Sequence, residues 1–126
     1  MKAGTAFVLK DKAVDDHLWI VLSDPELDAE QVLIVSITSL TPVKEQTCLV
    51  VPEDHSWVRR ASCVAYNFAR VVSLETLYRF KDAGMLELQD AISPQLLSRI
   101  RERSVESTGL KVDHFDILVA QGLVTE

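Results

Sequence analysis

The sequence predicts an α+β protein in which a small β-barrel is followed by C-terminal helices. Short apolar segments rich in β-branched residues recur as far as residue 73, and apolar residues at helical spacing replace them afterwards. The chain has 126 residues, of which 48% are hydrophobic, and this suits one domain with one core. We therefore expect a single domain over residues 1–126, with the barrel in about 3–73 and the helical part in about 74–126.

Six segments of the first half have the composition of strands. Turn signals separate some of them, for example Ser23-Asp24-Pro25 and Thr41-Pro42. The predicted strands are residues 5–9, 17–23, 31–39, 46–52, 62–66 and 68–73. Short strands at this spacing favour a small barrel or a strongly bent sheet.

Three helices are predicted after the strands, each from its end signals. The first follows Ser73 and ends at Gly84, a residue that favours the left-handed conformation after a helix. The second has Ser93-Pro94 as N-cap and first residue. A short third helix is expected with Asp113 as its cap and Gly122 as its end. Leu74, Leu77 and Tyr78 share one face of the first helix, and Leu96, Leu97 and Ile100 form an apolar stripe on the second.

Composition favours a cytoplasmic protein without a cofactor or metal. No segment approaches the roughly 18 consecutive apolar residues of a transmembrane helix, and the N-terminus lacks a signal-peptide pattern. Cys48 and Cys63 form no CxxC pair, which argues against a zinc site or redox motif and predicts free thiols.

The charge is unevenly distributed along the chain. The formal net charge is −6, and residues 1–56 contain ten acids but only four bases. The arginines are clustered, at Arg59 and Arg60 and again at Arg99, Arg101 and Arg103. The acidic total argues weakly against nucleic acid, but a local positive patch can still bind an anion.

The ordered segments HLWIVLS, VLIVSITS and SCVAYNFARVVSLETL resemble the MazF/PemK-type toxins of type II toxin–antitoxin systems, in a PemK-like branch. The match covers roughly residues 3–80 and includes Gly4 near the first strand, a strand at 17–23 and the pair Thr38-Ser39 at the end of another strand. One departure is that His17 stands where the family has its catalytic arginine.

The resemblance implies both a fold and an activity. Members are SH3-like barrels, and many are metal-independent endoribonucleases that cleave single-stranded RNA. The resemblance also implies a homodimer and a cognate antitoxin protein as partner. An alternative is a non-catalytic SH3-like binding or regulatory module derived from the toxin fold, which the acidic charge and the missing arginine favour.

Four residues are predicted to be catalytic. Metal-free RNA cleavage needs a base for the ribose 2′-OH, an acid for the leaving 5′-oxygen and donors for the phosphorane, and it leaves a 2′,3′-cyclic phosphate. His17 and His55 are the candidate proton carriers, because histidine titrates near neutral pH. Thr38 and Ser39 are implied by the resemblance to face the phosphate. The alternatives are a strand-end His17 bonded to solvent or a carboxylate, and a loop in which Asp54 makes an Asx-turn beside His55.

Four further residues are predicted to bind RNA. Arg59 and Arg60 can hold phosphates through their guanidinium groups, and Trp57 can stack on a base or anchor a dimer. Arg70 is implied by the resemblance to be a site residue or a dimer-interface residue. For Arg59 and Arg60 the alternative is a solvated loop paired with Glu53 and Asp54. Other notable residues are assigned structural roles: Trp19 and Tyr66 in the core, His114 in the last helix, and Arg99, Arg101 and Arg103 on a solvated face.

A single cleft would unite these residues. In a small barrel, strand ends that are distant in sequence meet at one rim. We therefore expect the 53–60 loop to converge with His17 and Thr38-Ser39, and Asp54 to orient His55.

Overall fold

The computed structural model describes residues 1–10 and 17–125. Within these residues the strands are β1 Ala6–Leu9, β2 Leu18–Val21, β3 Gln31–Ser39, β4 Leu49–Val50, β5 Ser62–Ser73 and β6 Leu86–Gln89. The helices are α1 Leu74–Asp82, α2 Pro94–Arg103 and α3 Val112–Ala120, with short 3₁₀ turns at Pro52–Asp54 and Ser104–Glu106. The strands form one curled antiparallel sheet in the order β4-β5-β3-β2-β1-β6. The predicted α+β class, a barrel-like sheet with helices mostly C-terminal, is confirmed.

Three details of the strand prediction are corrected. The strand expected at 46–52 is reduced to the two residues of β4, and the two strands expected at 62–66 and 68–73 are one strand, β5. The strand β6 was not predicted, because its four residues lie in the part of the chain expected to be helical. It forms because β1 offers a free edge, on which Leu86 pairs with Leu9.

The helix ends are mostly as predicted. The Ser73 and Ser93 hydroxyls accept hydrogen bonds from the first turns of α1 and α2, and Gly84 follows α1 with φ +76°. The third helix differs, because it begins at Val112 with Lys111 as its N-cap. The prediction that Asp113 caps it is therefore wrong, although a carboxylate in the first turn still interacts favourably with the helix dipole.

The sheet buries side chains on both faces. Strand residues alternate between faces, so Leu18 and Ile20 contact one cluster while Trp19 and Val21 contact another. We call the first the core face; Leu96 and Ile100 of α2 and Leu118 of α3 pack there. We call the second the outer face; Phe7, Val32, Ile34, Leu77 of α1 and Leu86 of β6 pack there. Trp19 and Tyr66 are buried, at 8% and 1% exposure, as predicted.

A large bulge interrupts the pairing of β3 with β5. Ile34 pairs with Arg70 and Ser36 pairs with Ala65, so the single residue Val35 lies opposite the four residues 66–69. Within the bulge Tyr66 and Ala69 are buried, whereas Asn67 and Phe68 are exposed. Extra residues of this kind bend a strand and redirect its side chains.

The core face allows a direct test of this packing. Ile100 is fully buried between α2 and the sheet, so Ile100→Ala leaves a cavity and should lower the free energy of unfolding by about 2–5 kcal/mol. Urea denaturation followed by tryptophan fluorescence measures this. The control is Val105→Ala, which alters a side chain with 46% exposure and should change stability by no more than about 0.5 kcal/mol. Equal losses in both variants would contradict the described packing of α2.

Candidate functional site

The outer face contains an open cavity of about 680 Å³. Leu77 of α1 packs on one end of this face, and the cavity lies at the other end. The strand register places its floor residues in two rows across the sheet. Trp19 lies beside Ser36, which lies beside Ala65, and Thr38 lies beside Cys63. His17 directly precedes β2 and continues the second row, because its neighbour Leu18 pairs with Ile37.

Lys44 brings a positive charge to this floor. Its Nζ donates to Thr38 Oγ1 and to the Ser39 carbonyl, both at 2.9 Å. Both acceptors are neutral, so they orient the ammonium group without cancelling its charge. Because Lys44 occupies a lone pair of Thr38 Oγ1, the hydroxyl proton is left to donate to another acceptor. Thr38 and Lys44 are thereby arranged as a pair of donors at the cavity.

Arg70 supplies a second cation on the same side of the sheet. Its guanidinium carbon lies 5.5 Å from the centre of the Trp19 ring, at cation–π distance. The salt bridges of the described residues join Lys10 with Glu87, Arg79 with Glu75, Arg99 with Asp54 and Arg103 with Glu106. None of these uses Lys44 or Arg70, so within this part of the chain both charges face the cavity without a carboxylate partner.

Glu45, Thr108 and Gly109 form one wall of the cavity, and Glu45 is hydrogen-bonded to residues 107 and 108. Its carboxylate accepts hydrogen bonds from the Thr47 hydroxyl at 2.6 Å, the Ser107 hydroxyl at 3.0 Å and the Thr108 backbone N–H at 3.1 Å. These neutral donors stabilise the negative charge of the carboxylate and hold its oxygens toward residues 47, 107 and 108. The next residue, Gly109, packs so closely that a Cβ there would lie 2.9 Å from Glu45 Oε1 and 3.2 Å from Asn67 Cβ. A side chain at this position would therefore displace the Glu45 carboxylate.

The cavity floor also contains a buried thiol. Cys63 is free and 1% exposed. Burial raises the pKa of the Cys63 thiol, and the Lys44 ammonium partly opposes this shift. A thiol kept in its neutral form is a poor nucleophile, so Cys63 serves as an apolar floor residue.

The cavity includes three of the eight predicted site residues, namely His17, Thr38 and Arg70. Ser39 is exposed at the end of β3 and contributes its carbonyl to Lys44 rather than its hydroxyl to the lining. Arg59 and Arg60 are exposed on the loop before β5 and are not among the described lining residues. The roles predicted for all of these side chains stay predictions.

His55 does not share the cavity, and the predicted single cleft is wrong in this respect. The side chain is 6% exposed. Its Nδ1 accepts from the Trp57 backbone N–H at 3.0 Å, which leaves Nε2 to donate to the Asp90 carbonyl at 2.5 Å. Both ring nitrogens are used within the protein, so His55 holds the loop to the end of β6 instead of facing a ligand.

The rest of the 53–60 loop is bound to the core face. Asp54 was expected to orient His55, but its carboxylate accepts from the Val51 N–H at 2.9 Å and from Arg99 at 2.7 Å. Arg99 was expected on a solvated face and instead links α2 to this loop. Trp57 is partly buried against the core-face cluster. Residues 54–58 of the loop therefore lie on the core-face side of the sheet, away from the cavity.

Several cavity residues were not anticipated from the sequence, chiefly Lys44, Glu45, Asn67 and Phe68. Lys44 lies in the ordinary polar segment TPVKEQT, where nothing marks it as a ligand group. The signal for Asn67 and Phe68 was present, because the alternation of CVAYNFARVV changes phase at these residues. The prediction divides this stretch into the segments 62–66 and 68–73, whereas it is one strand with a bulge.

Comparisons with known proteins do not extend this picture. A scan against protein-family models finds no match, and a search of curated proteins finds no similar chain. The resemblance to MazF/PemK-type toxins therefore depends on the sequence motifs alone. In the described part of the chain, no three His, Cys, Asp or Glu side chains are grouped to hold a metal ion. No helix there is long and apolar enough to cross a membrane.

The two histidines should respond differently to truncation. His55→Ala removes partners from the Trp57 N–H and the Asp90 carbonyl and should lower the free energy of unfolding by about 1–3 kcal/mol. His17→Ala, at a half-buried strand end, should change it by no more than about 0.5 kcal/mol. Urea denaturation of both variants compares them directly. Unchanged stability of His55→Ala would show that this histidine is not a structural support.

Proposed function

We propose that this protein is a metal-independent endoribonuclease of the toxin type, acting on single-stranded RNA in the outer-face cavity. The observation that supports this best is the presence of His17, Thr38, Lys44 and Arg70 around one cavity. These are a titratable group, a hydroxyl donor and two cations, the set of groups that phosphodiester cleavage needs. A homodimer, a protein antitoxin and a cytoplasmic location belong to the same proposal, on the strength of the sequence resemblance.

The proposed reaction uses these groups in sequence. His17 removes the proton of the ribose 2′-OH, and the 2′-oxygen attacks the phosphorus atom. The bond from phosphorus to the 5′-oxygen breaks, which leaves a 2′,3′-cyclic phosphate and a 5′-hydroxyl. Lys44 and Arg70 stabilise the added charge on the phosphorane. The Lys44 ammonium is also the donor placed to protonate the departing 5′-oxygen.

A second candidate function is RNA binding without cleavage. It is favoured by the position of His55, because the described lining then contains one histidine where acid–base catalysis commonly uses two proton carriers. In this alternative the cations and aromatic rings of the cavity hold the RNA, and Thr38 is a binding group. The two candidates share a binding surface and differ in whether the phosphodiester bond is broken.

Cleavage of a labelled single-stranded RNA in the presence of a chelator distinguishes them. His17→Ala should reduce the single-turnover rate by about 100- to 10,000-fold, as is typical when a general acid or base is lost. Lys44→Met should reduce it by about 100-fold, because one donor to the phosphorane is removed. The expected product terminus is a 2′,3′-cyclic phosphate, identified by its resistance to phosphatase until acid treatment.

The matched control for this experiment is His114→Gln, which changes a histidine outside the described cavity lining. Its rate should equal that of the wild type. Cleavage that is unaffected by His17→Ala would exclude His17 as the proton carrier. Binding of RNA with no cleavage by the wild type would leave the binding module as the function.

The path of the RNA can be tested through the arginines. Arg70→Ala should weaken binding of a non-cleavable 2′-O-methyl RNA and reduce the slope of log K against log salt by about 0.7, the value for one lost contact to a single strand. The double variant Arg59→Ala/Arg60→Ala should retain the wild-type slope, since both residues lie outside the described cavity lining. Arg79→Ala, at an exposed residue paired with Glu75, is the control. The opposite result would place the RNA along the 53–60 loop.

A further inference from the structure

The bulge in β5 presents two side chains that a regular strand would not place together. Asn67 and Phe68 are adjacent in sequence, yet both are exposed and both line the cavity. Phe68 is 59% exposed, so much of a large apolar ring faces solvent. The adjacent Tyr66 and Ala69 are buried on the protein side. The backbone here directs an aromatic ring and a carboxamide into the same open space.

The backbone of the bulge packs against residues 108 and 109. A Cβ at Gly109 would lie 3.2 Å from Asn67 Cβ and 3.4 Å from the Asn67 backbone nitrogen. Glu45 holds the preceding residue, Thr108, through its backbone N–H. These residues therefore support the backbone at Asn67, and a supported backbone loses less entropy when a ligand binds.

We infer that Asn67 and Phe68 form a nucleobase subsite next to the cations of the cavity, an inference that rests on the proposed function. An exposed aromatic ring provides a stacking surface for any base. A carboxamide has a donor and an acceptor, which suits the edge of an unpaired base. Arg70, two residues after Phe68, holds a phosphate of the same nucleotide or of its neighbour.

The subsite also explains the mixed character of the cavity. Phosphate alone would call for cations and polar donors, but the lining has a large apolar share from Trp19, Val43 and Phe68. A nucleotide has an anionic part and a flat apolar part, and it can satisfy both regions at once. Val43 is 93% exposed and borders the same opening as Phe68.

The experiment measures binding of two fluorescent 2′-O-methyl oligonucleotides with equal numbers of phosphates, one with bases and one abasic. The wild type should bind the base-containing oligonucleotide more tightly. Phe68→Ala should weaken that binding by about 5- to 150-fold, the range for loss of one base–aromatic stack, and leave the abasic oligonucleotide unaffected. Phe68→Trp should restore the preference. Leu27→Ala is the matched control, because Leu27 is likewise 59% exposed and lies outside the described lining.

Each other outcome has a defined meaning. Equal binding of both oligonucleotides by the wild type, or equal weakening of both by Phe68→Ala, would overturn the subsite and leave the proposed cleavage intact. The subsite would also be overturned if Phe68→Ala kept the base preference but dissociated a dimer, as measured by light scattering. A base preference that depends on Phe68, in a protein that does not cleave RNA, would support the subsite and refute the nuclease. No binding of either oligonucleotide would overturn both.

Discussion

The pairing of β3 with β5 is the constraint on which the rest of the structure depends. These strands lie together over most of their length, and four residues of β5 oppose the single residue Val35 at the bulge. The excess length can be accommodated only if the sheet bends at this point. On the core side the bend places Tyr66 where its hydroxyl donates to the Ile100 carbonyl at 2.6 Å. On the outer side it leaves a concavity that α1 does not fill.

The outer face is thereby divided into a half that α1 covers and a half that contains the open cavity. Phe7, Val21 and Ile34 are buried with Leu77 of α1, and they give this half the apolar burial that stabilises the sheet. The next rows contain Ser36, Thr38 and Ala65, which are too small to attract a covering helix. Small and hydroxyl-bearing residues in the middle of two buried strands thus mark the floor of the cavity. The Lys44 ammonium extends to Thr38 in these rows, and the Arg70 guanidinium lies over the ring of Trp19, which pairs with Ser36.

The fold could be predicted from the sequence more completely than the site. Apolar runs such as 31–39 and caps such as Ser93 are local signals, and the structure forms there as expected. The strand β6 forms on the edge of β1, whose paired residues lie 77 or more positions earlier in the chain. The four residues of β6 have no local pattern that predicts a strand. The site depends on which strands are neighbours, so His17 and Thr38 were placed together only through the family resemblance. His55 was misjudged because its ring is buried within an otherwise largely exposed loop, where the Asp90 carbonyl and the Trp57 N–H supply its partners.

The local field of the cavity differs from the charge of the whole chain. The net charge is −6, and a uniform distribution would repel an anion at every point of the surface. Lys44 and Arg70 instead lie within one cavity, and the nearby Glu45 carboxylate is held by three neutral donors on the wall. Interactions between exposed charges decay over about 8 Å at physiological salt, so distant acidic residues are largely screened at the cavity while its own cations are not. A chain that is acidic overall can therefore present an attractive site for a phosphate, provided that the cations are close to the ligand and the carboxylates are screened or already bonded.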